Sequence, residues 1–499
     1  MSITGPGSIT AANVQAQTNM MNQLDTLSQE LGTGDAAQTY SGLGSQAGLA
    51  LALGAQLSDI SGYSGAATTV GTTLTVAQSV LTQLGDTGSA VQSAVSQQGA
   101  FSLDNTGQTS TQETAVSYLD QIVSLLNTQV GGNYIFSGSA VNQPAVVSAS
   151  EMLNGTGTQA GLTQLISQRQ QADQGANGLG RLTVGGTGST VTLSADGSPF
   201  GFQLAGVTST LTGGTATGPS GSPPTISVNL GSNPTAGQTI QFNLTLPDGT
   251  SQTIALQATT SSPPGANQFT IGASATATAA NVQTALTSAI TNLAQTALPA
   301  TSAIAAANGF FSDPPQIVAG PPYDTATSLT NGTSANTVQW YTGENGSTPA
   351  LQTATAQVGP SMTVAYGMRA TEPAITSLLA NVAALAATTF SASNPNAQSA
   401  YQALSQSVVA NLNGQSGTQS ISDLEANLAN AQTTISNATT LNTQTQTTLQ
   451  DMLQNVEGIN QTQIGEDILT LQNNLSASMS VTARLAQLSL VNYLSAVSG

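Results

Sequence analysis

Carboxylates are the side chains of this sequence with the widest choice of chemistry, because it contains no histidine, lysine or cysteine. Without those residues no Ser-His-Asp, Cys-His, Ser-Lys or Schiff-base arrangement can form. A carboxylate pair could still supply a general acid and a general base. The nearest acidic cluster is Glu457, Glu466 and Asp467, and its helical surroundings favour a solvated helix face instead. The sequence therefore predicts no catalytic residue and no enzyme.

Other patterns match chemical sites in their letters alone. Gly85-Asp86-Thr87-Gly88 contains the Asp-Thr-Gly triplet of aspartic proteases, but it lies inside a helical heptad and not on a strand and its loop. The Gly-rich stretches carry no repeated Asp, so the calcium-binding nonapeptide repeat is missing. Trp340, Tyr341 and Tyr366 could line a sugar site, although the packing face of a strand is the preferred interpretation. We therefore expect no metal and no cofactor.

The balance of charge limits the possible partners. Only 5% of the residues are charged, against about a quarter in ordinary domains, and the formal net charge is −18. The four positive residues are Arg169, Arg181, Arg369 and Arg484. No basic surface can displace counterions from phosphates or attract anionic lipid, so we expect no nucleic-acid partner. No apolar run approaches the roughly 20 residues of a membrane span, so we expect no membrane insertion.

The C-terminal stretch 458–499 has the helical pattern around which the chain is organised. Its apolar residues recur at steps of three and four: Ile464, Ile468, Leu471, Leu475 and Met479. After a drift of one residue the stripe continues with Val481, Leu485 and Leu488. The opposite face is polar and almost uncharged. A helix of this kind needs a partner, either in its own chain or in a neighbouring subunit.

Helical periodicity also covers the N-terminal part and a second C-terminal stretch. Residues 9–31 place one apolar set on one side: Val14, Met21, Leu24, Leu27 and Leu31. Residues 70–95 keep a heptad that restarts over 115–126. The longest heptad runs from 421 to 459, which predicts a coiled coil, with Asn442 as a polar member of its stripe.

The middle of the chain alternates like a β-structure. Residues 239–256 contain two alternating runs around Asp248-Gly249, the strongest short-range hairpin signal. Residues 268–271 predict another strand, and 281–307 predict a helix. We interpret about 180–311 as an α+β insertion.

These patterns predict an α+β fold in which long helices at both ends flank a β-rich insertion. The predicted domains are an N-terminal helical region 1–150, a β-rich insertion with one helix 151–335, a strand-rich return 336–372 and a C-terminal helical region 373–499.

Two segments resemble a known family. Val481–Leu494, VTARLAQLSLVNYL, and Leu126–Ala145, LNTQVGGNYIFSGSAVNQPA, are similar in order and position to segments of the bacterial flagellin superfamily. That superfamily includes filament flagellins and the junction protein between hook and filament, the third hook-associated protein. Junction proteins carry a Gly-x-Tyr-[Ile/Leu]-Phe-x-Gly turn, which here is matched by Tyr134, Ile135, Phe136 and Gly138.

The resemblance implies a structural subunit of the bacterial flagellum that supports motility by self-assembly. Its terminal helices would pair antiparallel in a coiled-coil-like bundle, and the insertion would form an outer domain. The implied partners are copies of itself, other flagellar axial proteins and an export chaperone. The segment MSITGPGSITAANVQ lacks the charged and apolar regions of a secretory signal peptide. Composition alone would then indicate a cytoplasmic protein, whereas the resemblance implies export through the flagellum, without cleavage, to an extracellular location.

The predicted assembly interface combines apolar residues of both terminal helices. Its members are Leu24, Leu31, Ile464, Ile468, Leu471, Leu475, Val481, Leu485, Leu488 and Leu494.

Two alternatives stay open. The Tyr134-Ile135-Phe136 turn and the end Leu490–Leu494 resemble the junction protein, whereas the large insertion and the length suit a filament flagellin. Outside this family, the Thr/Gly-rich β region could belong to an extracellular adhesin or a surface-layer type structural protein. Such a protein would need a signal peptide or secretion motif, and none is visible.

Overall fold

The computed structural model describes residues 6–97, 100–414 and 417–497, with side chains for all of these except 6–10, 489 and 492–497. Helices and sheets are mixed, which confirms the α+β class. The α-helices of the described residues are α1 Pro6–Thr33, α2 Ala47–Ser96, α3 Ser110–Leu126, α4 Ala149–Asn154, α5 Leu162–Gln174, α6 Ala275–Gln295, α7 Ala297–Phe310, α8 Pro373–Ala387, α9 Ala397–Leu412, α10 Ile421–Glu457 and α11 Gln461–Val497. Short 3-10 helices lie at Tyr40–Gln46 and Ala350–Thr353.

The strands form two larger sheets and three ribbons among the described residues. They are β1 Gln129–Val130, β2 Asn133–Tyr134, β3 Leu182–Gly185, β4 Thr190–Ala195, β5 Gln203–Ser209, β6 Gly214–Ser220, β7 Thr225–Leu230, β8 Thr239–Thr245, β9 Ser251–Thr259, β10 Gln268–Thr270, β11 Gln316–Val318, β12 Leu329–Asn331, β13 Thr355–Gly359 and β14 Met362–Ala365. The larger sheets have the orders β10-β9-β8-β5 and β3-β4-β7-β6, and β1-β2, β11-β12 and β13-β14 form the ribbons. Only β10 with β9 is a parallel pair within the larger sheets.

The chain divides into two compact units. Unit 1 consists of Met1–Thr69, Ala356–Val364 and Thr433–Gly499. Unit 2 consists of Val70–Thr355 and Ala365–Gln432. The four domains predicted from the sequence stay a prediction.

Within unit 2, one hydrophobic core joins the two larger sheets to α6. All its buried side chains lie between Leu182 and Leu298. Strand β8 illustrates the cause, because Ile240, Phe242 and Leu244 alternate with polar residues and are at most 1% exposed. This part of the chain therefore has a core of its own.

The predicted hairpin between β8 and β9 is confirmed. Its antiparallel register runs from Thr239 opposite Gln257 to Thr245 opposite Ser251. Gly249 in the turn has φ +87°, a conformation that favours glycine.

The single helix predicted over 281–307 is wrong, because two helices, α6 and α7, meet at Thr296. Thr296 has φ −121° and ψ −78°, outside the helical range. Pro299 explains the break, since a proline inside a continuous helix lacks the amide hydrogen and clashes with the preceding turn. Helix α7 packs mainly against α5, α8 and α9.

Helix α8 lies at the centre of the helical part of unit 2. It contacts α3, α5, α7 and α9, and all its residues from Leu378 to Ala387 are buried. Gly88 lies within the predicted heptad of α2. A side chain at this position would be crowded, because a Cβ there would lie 3.3 Å from Leu378 Cδ1. Glycine therefore permits close packing of α2 at this point.

Candidate assembly surface

Helices α1 and α11 lie side by side and antiparallel in unit 1. Asp35 and Gly458 form an antiparallel bridge at one end of the pair. Further along, the Gln17 side-chain amide donates hydrogen bonds to Ser478 Oγ at 3.3 Å and Thr482 Oγ1 at 2.9 Å. The two terminal helices therefore share a long contact.

The contact faces follow alternating steps of three and four residues. On α11 the half-buried positions include Ile464, Ile468, Leu471, Leu475, Ser478, Thr482 and Leu485. On α1 they include Asn13, Gln17, Met20, Leu24 and Leu27. Such steps average 3.5 residues, the spacing that keeps two helices in contact along their length. The side chains stay only half-buried because two helices cannot enclose them.

The single stripes predicted on these helices do not coincide with the contact faces. The sequence predicts Met479 as a member, but it is 47% exposed, and Ser478 and Thr482 occupy the contact positions. Repeated steps of four drift away from the 3.5-residue spacing, which explains the error. On α1, Val14 and Met21 are 54% and 51% exposed and lie outside the contact face.

The predicted interface residues fall into two groups. Six are half-buried, in or beside the α1–α11 contact: Leu24, Ile464, Ile468, Leu471, Leu475 and Leu485. Leu31, Val481 and Leu488 are exposed, by 38%, 52% and 60%. The side chain of Leu494 lies outside the described residues. The role of all ten in assembly stays a prediction.

Exposed apolar side chains are concentrated in unit 1. Among the described residues, every exposed large hydrophobic side chain except Leu329 belongs to this unit. On α1 and α11 they are Val14, Met21, Leu31, Leu469, Met479, Val481, Leu488, Leu490 and Val491. Elsewhere in unit 1 they are Tyr40, Leu49, Leu51, Leu441 and Met452. A concentration of exposed apolar side chains is typical of interaction sites, so unit 1 is the candidate assembly surface.

A small interior stabilises unit 1 beside the paired helices. Leu53, Ile60 and Leu449 form a buried cluster. The polar heptad position Asn442 is 2% exposed, and its amide donates a hydrogen bond of 2.9 Å to the Val358 carbonyl of β13. This bond gives the buried amide a partner and attaches the strand to α10.

Positive charge is almost absent from the described surface. Arg169, Arg181 and Arg369 are 8–9% exposed, and each pairs with a carboxylate of unit 2. Arg484 is exposed on α11 and has no ion pair among the described residues. The sequence analysis predicts none of these ion pairs. The only feature of the sequence that could have indicated them is the scarcity of positive residues, each of which has many carboxylates available as partners.

Two of the buried arginines enclose an aromatic ring. The guanidinium carbons of Arg169 and Arg181 lie 5.2 and 5.5 Å from the centre of Phe200, within cation–π range. Arg169 pairs with Asp173 at 2.8 Å, and Arg181 with Asp196 at 2.9 Å. Burial alone would raise the pKa of Asp196, but hydrogen bonds from Ser198 and the neighbouring guanidinium outweigh it and hold that pKa below its usual value.

The family-motif residues form a fixed turn in unit 2. The β1–β2 hairpin turns at Gly131-Gly132, both with positive φ, as a two-residue hairpin turn requires. Tyr134 and Ile135 are half-buried, and Phe136 is fully buried. These residues therefore lead from the hairpin into the core of unit 2.

Backbone hydrogen bonds connect the end of this turn to the two residues on either side of Arg369. Ala370 N–H donates to the Phe136 carbonyl, and Gly138 N–H to the Met368 carbonyl, both at 2.9 Å. The Arg369 guanidinium binds the Glu344 carboxylate and the carbonyls of Gly346 and Thr348. The motif therefore has a structural role in this chain.

Tyr341 lies close to this ion pair. Burial raises the pKa of its hydroxyl to about 12. Trp340 is 1% exposed and stacks edge-on against Phe311 at 5.2 Å. These rings pack in the interior, so they offer no open platform for a sugar.

The residues considered for chemistry do not converge. Asp86 and Thr87 lie within α2, where the Thr87 hydroxyl donates to the Gln83 carbonyl at 2.7 Å. Glu466 and Asp467 are exposed on α11. Within the described ranges, no group of three or more acidic residues is placed to hold a metal ion. No helix found in those ranges is long and apolar enough to cross a membrane.

No protein-family model matches the chain, and no curated protein matches it either.

Proposed function

We propose that this chain is a self-assembling structural subunit of the bacterial flagellum, of flagellin type. The observation that carries the proposal is the concentration of exposed apolar side chains on unit 1, which contains both terminal helices. Covering such a surface releases free energy through burial of apolar area, and another copy of the chain can cover it. The sequence resemblance at Leu126–Ala145 and Val481–Leu494 is the reason for proposing a flagellar assembly.

The finer architecture belongs to the same proposal. In an assembled polymer, the terminal helices would join a coiled-coil-like bundle, and the β-rich part with its own core between Leu182 and Leu298 would form the outer domain. Other flagellar axial proteins would cover the ends of the polymer, and an export chaperone would cover the apolar helices before assembly. The subunit would be extracellular and would support motility.

Immunogold labelling of cells that express the chain tests this function. We expect label along the flagellum or at the hook–filament junction, and loss of flagellum-dependent motility when the gene is deleted. Label spread evenly over the cell body would instead favour the adhesin or surface-layer alternative.

The number of gold particles per flagellum separates the two family members. A few copies at one position indicate a junction protein, whereas labelling along the whole length indicates a filament flagellin. The Tyr134-Ile135-Phe136 turn supports the junction protein, and the large insertion supports the filament flagellin.

A further inference from the structure

A short ridge on α11 combines apolar side chains with the exposed arginine. Val481, Arg484 and Leu488 follow at steps of three and four, so they lie on one helix face. Val481 and Leu488 are 52% and 60% exposed, and Arg484 is exposed as well. We call these three residues the α11 ridge.

A second ridge on α1 has the opposite charge. Val14, Thr18, Met21 and Asp25 follow at steps of four, three and four, and all are exposed. Val14 and Met21 are 54% and 51% exposed, and Asp25 supplies a carboxylate. These four residues form the α1 ridge.

The two ridges face away from each other on the paired helices. The face of α11 that continues the α11 ridge passes through Thr470 and Asn474, which border a groove with Asn22 and Thr26 of α1. On α1, the α1 ridge lies about 100° from the contact stripe in the other direction, away from Gln23 and Leu27, which line the same groove. One copy can therefore present both ridges at the same time.

We propose that the α11 ridge of one copy binds the α1 ridge of a second copy, with the helices antiparallel and Arg484 opposite Asp25. In this register Leu488 faces Met21, because each lies four residues from the charged residue and the helices run in opposite directions, and Val481 faces Ser28. The proposal rests on the proposed function and names one contact through which the polymer grows. Because the two ridges differ, the contact is heterologous and propagates into a ring or a helical polymer.

Charge favours this pairing over a contact between two α11 helices. The described surface is acidic, and Arg484 is its exposed cation, so an acidic ridge is the complementary partner. Pairing Arg484 with Asp467 of another α11 would place Leu488 opposite the polar Gln463. A symmetric contact of that type would also close a dimer instead of extending a polymer.

Charge reversal tests the contact with the full-length chain. Arg484→Asp and Asp25→Arg each place like charges in contact, so each variant alone should lower the yield of sedimentable polymer by about tenfold. The double variant restores opposite charges and should recover the polymer. An equimolar mixture of the two single variants should also polymerise, because an alternating arrangement pairs Asp with Arg at one contact and Arg with Asp at the next.

Circular dichroism of the soluble fractions checks that the variants fold, and Arg484→Gln gives a milder form of the same change. Normal polymer from the single variants, or no recovery in the double variant and the mixture, overturns the contact. Recovery of Arg484→Asp by Asp467→Arg, and not by Asp25→Arg, would assign the contact to two α11 helices and also overturns it. Absence of polymer from the unmodified chain would instead contradict the proposed function.

Discussion

At the scale of residues, the family-motif turn depends on a glycine whose surroundings leave no space. Gly138 has φ +64°, and a Cβ there would lie 2.8 Å from Glu344 Oε2 and 3.2 Å from Arg369 Nε. Gly131, in the hairpin turn, has a similar φ of +60°, but nothing lies within 4 Å of its Cβ position. Substitutions at these two glycines therefore distinguish the energetic cost of backbone strain, which both share, from the cost of steric crowding, which applies only to Gly138.

We predict that Gly131→Ala lowers the free energy of unfolding by about 1–2 kcal/mol, the cost of a left-handed backbone for an L-residue. Gly138→Ala should cost the same strain and about 1–3 kcal/mol more, because the added methyl group displaces the Arg369–Glu344 pair. Urea unfolding followed by circular dichroism measures both. Equal losses in the two variants would show that the pair does not restrict Gly138.

Tyr341 gives a prediction for alkaline stability. It is 6% exposed, its hydroxyl has no hydrogen-bond partner among the described residues, and its pKa is raised to about 12. A tyrosine in the unfolded chain ionises near pH 10, so unfolding releases a proton and stability is lost as the pH rises from about 10 to 12.

Tyr341→Phe should therefore reduce the loss of Tm between neutral pH and about pH 11, and should keep or raise Tm at neutral pH because an unpaired buried hydroxyl is removed. Tyr40→Phe, at a side chain that is 50% exposed, is the matched control. A lower Tm at neutral pH, or an unchanged alkaline loss, would contradict this assignment.

At the scale of elements, helix α11 contains two leucines that are close in sequence but differ in their contact with α1. Leu471 is half-buried in the contact, and Leu469, two residues earlier, is 62% exposed. Both lie on the same helix with the same intrinsic helix propensity. The same substitution at these two positions therefore tests the contact itself.

We predict that Leu471→Ala weakens the pairing by about 1–3 kcal/mol, less than for a fully buried leucine because the site is only half-buried. Amide hydrogen exchange in α1 should become faster, since α1 loses packing from its partner. Leu469→Ala should leave exchange in α1 of the monomer unchanged. The pairing would be in doubt if both variants changed α1 to the same extent.

The elements predicted correctly from the sequence are those with a local physical cause. The β8–β9 hairpin follows from its alternating pattern and Asp248-Gly249, and α10 follows from its heptad. The break at Thr296 was not predicted, because apolar periodicity continues across it and only Pro299 signals it. Apolar spacing on α11 does not distinguish the face that meets α1 from the faces that stay exposed. The burial of three arginines depends on contacts between distant segments, which no local pattern encodes.

At the scale of the whole molecule, apolar surface and buried core are separated along the chain. Exposed apolar side chains concentrate in unit 1, and a closed core lies between Leu182 and Leu298 in unit 2. The chain enters and leaves the region of that core at adjacent points, because a Cβ at Gly180 would lie 3.1 Å from Leu298 Cδ2. This region can therefore be removed without stretching the helices that flank it.

We predict that replacing residues 182–296 with a short Gly/Ser linker leaves assembly intact, because every buried side chain of its core except that of Leu298 lies within these residues. The polymer should be narrower by electron microscopy than that of the full chain. The deletion also removes Phe200 and Asp196, which contact Arg169 and Arg181, so some loss of thermal stability is expected. Loss of polymer from a variant whose helical circular dichroism is retained would refute the independence of the insertion.

The most direct test of self-assembly is sedimentation of the purified full chain over a series of concentrations, with electron microscopy of the pellet. We predict regular polymers above a threshold concentration, and their persistence in about 1 M NaCl, because apolar burial is the main driving force and is not screened by salt. A chain that stays monomeric at every concentration, or polymers that dissociate in moderate salt, would contradict the assignment of unit 1 as an apolar assembly surface.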